Sequence, residues 1–124
     1  VSSGASAELV SQARGAAVEL ERRVNAARAR VDSARSRGHA VALWGAGSRA
    51  VTCLALLERA VDTVIDINPR KRGSFMPGSG LAIDSRETLA SRCTELVFVL
   101  NPMYREEITD MLTADSISSE VVIV

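Results

Sequence analysis

The spacing of apolar side chains changes once along this chain, and the change divides it in two. From Ala5 to about Arg37 the segment is rich in Ala, Arg and Glu, and Gly15 is its only breaker. Apolar residues recur there at alternating intervals of three and four, which predicts a long helix or two shorter ones. The stripe runs Val10, Ala13, Ala17, Leu20, Val24, Ala27, Val31, Ala34, a thin heptad seam in which alanine lets another backbone come close. A helix of this length exceeds the width of a domain of this size. Part of the seam is therefore expected to meet another chain, as in a homodimer, or a further domain. Its second half can equally pack on its own domain. The chain reads as residues 1–37, a helical connector, and 38–124, a compact domain.

After Gly38 short apolar runs alternate with helical stretches, the signature of a parallel sheet built from strand–helix–strand units. Strands are expected at Ala40–Trp44, Val61–Ile65, Leu81–Ile83, Glu95–Leu100 and Glu120–Val124. Helices are expected at about Ser48–Arg59, Ser85–Ser91 and Tyr104–Leu112. The polar, Gly- and Pro-rich stretch from Asn68 to Gly80 is long for a linker and is a candidate functional loop. Pro77 and Gly78 suit the second and third positions of a type II turn. Right-handed crossovers give five parallel strands the order 3-2-1-4-5 in a three-layer, Rossmann-like α/β fold. The ends of strands one and four then flank the topological switch point, the expected place for a ligand.

Gly45, Ala46, Gly47, Ser48, Arg49 and Ala50 spell GxGxxA directly between a predicted strand and a predicted helix. There glycines permit a tight turn, and the helix start offers free amides and a favourable dipole to an anion. Ser48 can cap that helix or bond a phosphate oxygen. Arg49 sits in the first turn, where the dipole disfavours a cation, a placement that makes sense beside a bound anion. The alternative is a tight turn that binds nothing. Asp66 lies 21 positions beyond Gly45, the spacing of the acid that holds an adenosine ribose, and taken alone this favours NAD. It is equally suited to begin the turn that Asn68 and Pro69 continue. Arg70, Lys71 and Arg72 can reach a diphosphate or be solvated. Asn101 and Tyr104 flank the crevice from the far side, and Asn101 with Pro102 also suits a helix cap.

Composition narrows the partners. The chain has 124 residues, 47% hydrophobic and 24% charged, and its 15 basic and 15 acidic residues cancel. There is no broad positive field for nucleic acid and no apolar run long enough to span a bilayer. Cys53 and Cys93 stand 40 positions apart without a histidine at metal-ligand spacing, so neither a zinc site nor a disulfide framework is expected. Both read as buried small hydrophobes in a reducing cytoplasm. Val1–Ser6 lacks an initiator Met and signal-peptide features, as expected of a piece cut from a longer protein. His39 precedes the first strand at the end opposite the crevice, and Glu106 and Glu107 point to different sides of their helix. No catalytic residue is therefore assigned.

Four ordered motifs carry a resemblance: VALWGAGSR at Val41–Arg49, DINPRKRG at Asp66–Gly73, MPGSGLAI at Met76–Ile83 and NPMYREEI at Asn101–Ile108. From about Gly38 to Val124 the chain resembles the C-terminal domain of S-adenosylmethionine-dependent C-methyltransferases that act on nucleotide-linked deoxysugars and related substrates. It departs from the common pattern at Gly47, Arg49 and Ala50, with Arg49 keeping the charge that lysine usually supplies. The resemblance implies a Rossmann-like wall for the substrate nucleotide, with contacts from Gly45–Arg49, Asn68, Lys71, Asn101 and Tyr104. It places S-adenosylmethionine and the catalytic base in an upstream methyl-donor domain, with no cofactor bound here. The other reading left by the residues is an independent NAD(H)-binding module of a dehydrogenase or redox sensor.

Overall fold

The computed structural model describes residues 2–57 and 61–124, without the side chains of residues 2–9, Ala13, Ala16, Ala17 and Ser48. The expected helix end at Arg59, the seam members Ala13 and Ala17, and the expected role of the Ser48 hydroxyl lie outside the described residues. The order is α1 (Ser2–Ser36), β1 (Ala40–Trp44), α2 (Ser48–Leu57), β2 (Thr63–Ile65), β3 (Ile83–Asp84), α3 (Glu87–Ser91), β4 (Thr94–Val99), a 3-10 turn (Pro102–Tyr104), α4 (Arg105–Ala114) and β5 (Glu120–Ile123). The five strands form one parallel sheet ordered β3-β2-β1-β4-β5, the order the sequence predicts.

The central strands read as unbroken apolar runs because helices cover both of their faces. Alternation then decides which helix each side chain meets. Val41, Leu43, Val64, Leu96 and Phe98 pack on the face covered by α1 and α2. Ala42, Ile65, Val97 and Val99 pack on the other, with Leu89 of α3 and Ile108 and Leu112 of α4. Each fully buried Leu, Val or Phe stabilises the fold by about 1.5–3 kcal/mol. The sheet is thus clamped between two apolar layers.

α1 runs for 35 residues, about 52 Å of helix. Its two halves differ. Val24, Ala27, Val31 and Ala34 are buried in the core with α2 and the sheet, whereas Val10 and Val18 are 50% and 64% exposed. The buried half is also tied by its arginines. Arg28 donates to the Leu56 carbonyl at 3.0 Å, Arg35 pairs with Asp62 at 3.4 Å, and Arg30 and Arg37 pair with Glu120 and Glu95. The helix ends where Gly38 takes φ +74°, which lets His39 N donate to Ala34 O and Gly38 N to Arg35 O.

Local differences from expectation have local causes. β2 begins at Thr63 rather than Val61 because Asp62 closes the strand end sideways: its amide donates to Val41 O at 2.8 Å and its carboxylate accepts from Val41 N at 2.8 Å. β3 is displaced to Ile83–Asp84 because Met76 N donates to Leu81 O and Ala82 pairs antiparallel with Phe75. The 68–80 stretch therefore folds back on the strand it precedes. Gly78 adopts φ +83°. The closing bond nevertheless runs from Gly80 N to Met76 O, a turn one residue wider than type II.

Cys53 is buried, and burial pushes its thiol up to about 11, with Arg49 pulling weakly the other way. Cys93 corrects the expectation of burial. It is exposed with φ +51°, because β4 starts one residue later and Cys93 forms the left-handed exit from α3.

Candidate functional site

The site begins with the turn after β1. Gly45 takes φ +103°, and its amide donates to Ile65 O at 2.7 Å. Side chains rarely adopt that backbone, which explains the glycine. Ala46 N donates to Asp66 Oδ2 at 3.0 Å, while Asn68 N donates to Asp66 Oδ1 at 2.8 Å. Asp66 thus clips the glycine turn to the following loop with both oxygens. Lys71 completes the clip, its Nζ 3.9 Å from Asp66 Oδ2 and 3.5 Å from Ala46 O. Two turn amides are committed to the protein by this arrangement. The amides of Ser48 and Arg49, at the start of α2, have no preceding carbonyl in the helix to receive them.

The far side is built by the exit from β4. Asn101 is extended, at φ −109°, and its Oδ1 accepts from Met103 N at 3.0 Å with Pro102 next in the chain. This capping bond fixes Asn101 at the crevice edge and leaves its amide nitrogen uncommitted by that bond. Tyr104 follows, 53% exposed, at the start of α4.

Between these two edges lies a crevice of about 450 Å³ lined by Trp44, Val99 and Leu100 below, by Gly45, Gly47, Arg49 and Ala50, by Asp66 and Ile67, and by Asn101, Tyr104, Glu107, Ile108 and Met111. It sits across the ends of β1 and β4, the switch point of the 3-2-1-4-5 order. Gly45, Gly47, Arg49, Asp66, Asn101 and Tyr104 are gathered there as expected of one site. Ala46, Asn68 and Lys71 support the turn from behind and do not line the crevice. Trp44, Ile67, Glu107, Ile108 and Met111 were not among the sequence candidates. A signal existed for three of them, because Tyr104, Glu107, Ile108 and Met111 follow the 0, 3, 4, 7 spacing of one helical face.

The family model for the C-methyltransferase C-terminal domain matches residues 11–121. The chain belongs to this family. No curated protein matches it. In this C-methyltransferase C-terminal domain the match spans the glycine turn, the Asp66 clip and α4, and it also takes in most of α1. Among the described residues no three His, Cys, Asp or Glu side chains converge to hold a metal ion. No helix among them is long and apolar enough to cross a membrane.

Proposed function

We propose that this domain is the substrate-binding wall of an S-adenosylmethionine-dependent C-methyltransferase, and that its crevice receives a nucleotide or nucleotide-linked sugar. The observation that carries the reading is the crevice itself, with Arg49 and the α2 amides on one side, Asn101 and Tyr104 on the other, and an aromatic and aliphatic floor between them. A planar ring packs against Trp44 or Tyr104, and an anion faces a guanidinium and a helix N-terminus. The volume of about 450 Å³ lies in the range of small-molecule sites.

The NAD reading needs an acid at the end of β2 turned toward a ribose. Asp66 instead accepts from Ala46 N and Asn68 N, which favours its turn-forming role. No residue of the crevice is assigned to S-adenosylmethionine. In the full methyltransferase it would supply the methyl group from an upstream domain, and the exposed half of α1 around Val10 and Val18 is the surface we assign to that neighbour or to a second copy of the chain. The two unpaired thiols suit the cytoplasm.

Calorimetric titration with TDP, UDP, NAD and S-adenosylmethionine tests the proposal. A pyrimidine diphosphate should bind, and Arg49→Ala should weaken it about tenfold. NAD binding alone would replace the reading with a dinucleotide module, and silence from all four would remove it.

A further inference from the structure

The crevice carries opposite charges on opposite walls. Arg49 belongs to α2, which packs on one face of the sheet, and Glu107 to α4, which packs on the other. Among the described residues neither side chain makes a hydrogen bond or ion pair with the protein, whereas the third charged group of the lining, Asp66, is held by two amides and Lys71. Trp44 and Leu100 line the crevice from the strand ends, and Ile108 and Met111 line it from α4 beside Glu107. Both charged side chains are exposed at the crevice, and the apolar lining offers a surface on which a ring can pack between them.

Glu107 also has a purely helical explanation, since α4 carries it in its first turn where the dipole favours an acid. Glu106, in the same turn, meets that requirement without lining the crevice. The helix therefore does not need the second carboxylate at the position that turns it into the cavity.

We infer that Glu107 is a specificity-determining residue that accepts a hydrogen bond from a donor group on the substrate, opposite the anionic group read by Arg49. This rests on the nucleotide-linked reading and adds a chemical requirement to it. The ligand carries an anion at one end and a hydroxyl or ammonium at the other, with a ring between them over the apolar floor. An ammonium gains more than a hydroxyl, because both partners are then charged.

The test is titration of the whole chain and its Glu107→Gln and Glu107→Asp variants with UDP, UDP-glucose and UDP-glucosamine. UDP lacks the hexose that the other two ligands carry beyond the diphosphate, so it should bind all three proteins alike. UDP-glucosamine should bind the unaltered chain more tightly than UDP-glucose, and that advantage should fall about tenfold in Glu107→Gln and return in part in Glu107→Asp. Equal weakening of all three ligands in Glu107→Gln, or an undiminished preference for the amino sugar, would overturn the role of Glu107 while leaving nucleotide binding in place. Failure of both UDP and TDP to bind would remove the nucleotide reading and this inference together.

Discussion

The two ends of the parallel sheet use charge in opposite ways. At the amino end Arg35, Arg37 and Arg30 meet Asp62, Glu95 and Glu120, and His39 Nδ1 lies 3.1 Å from Glu95 Oε1. At the carboxyl end Arg49 and Glu107 face a crevice without protein partners among the described residues. The first end closes the fold around α1. The second engages Asp66 and Lys71 with each other and leaves Arg49 and Glu107 facing the crevice. On the proposed function, stability and recognition fall at opposite ends of the same five strands.

The comparison can be broken most severely at the residues both ends share. Phe98→Ala, in the fully buried middle of the sheet, should cost about 3–5 kcal/mol in denaturant unfolding. A single cooperative transition would show that the two ends stand or fall together. A smaller and more pointed contrast comes from exchanging the site of damage. Arg49→Ala should weaken nucleotide binding about tenfold while leaving stability within about 0.5 kcal/mol. Arg37→Ala should lower stability by up to about 1 kcal/mol and leave binding alone. A ligand effect from Arg37→Ala would erase the division of labour.

Ser116, at φ +57° in the exit from α4, offers a gain of function in stability alone. Ser116→Gly should raise the unfolding free energy by about 1 kcal/mol, because glycine relieves the left-handed strain. No change in melting temperature would mean that the exit is not strained. The smallest effect concerns protons. Arg37 and His39 hold the Glu95 carboxyl below the usual range. Its contribution is therefore present above the ordinary carboxylate pKa and is lost as the pH falls through the lowered one. Glu95→Gln should flatten that acid-side decline in melting temperature, and parallel curves for both proteins would exclude this source.

Sequence reading reached the fold because doubly covered strands leave an unmistakable record. Val97, Phe98 and Val99 are consecutive and apolar since both neighbouring layers need them. The glycine turn was equally legible, as Gly45 holds a backbone conformation that side chains resist. The rest of the crevice depended on relations that a linear pattern does not encode. Helical spacing puts Glu107 on one face with Tyr104, Ile108 and Met111, but that this face meets the crevice follows from where α4 is set against the switch point. The inward turn of Asp66 depends on which of several nearby amides its carboxylate selects, and Ala46 lies 20 residues away in the chain. Cys93 read as a buried small hydrophobe, yet it forms the exposed, left-handed exit from α3 just before β4.

The unequal packing of α1 also has a mechanical consequence. Among the described side chains of α1, those seated against the core begin at Leu20, so the helix is a lever whose fulcrum lies within this domain. The segment from Ser2 to Leu20 projects roughly 27 Å beyond that fulcrum at the helical rise. A tilt of roughly 5° at the seat would move the distant tip by about 2–3 Å, given that length. Small substitutions at Val24 or Val31 would consequently move the far end of α1 without touching it.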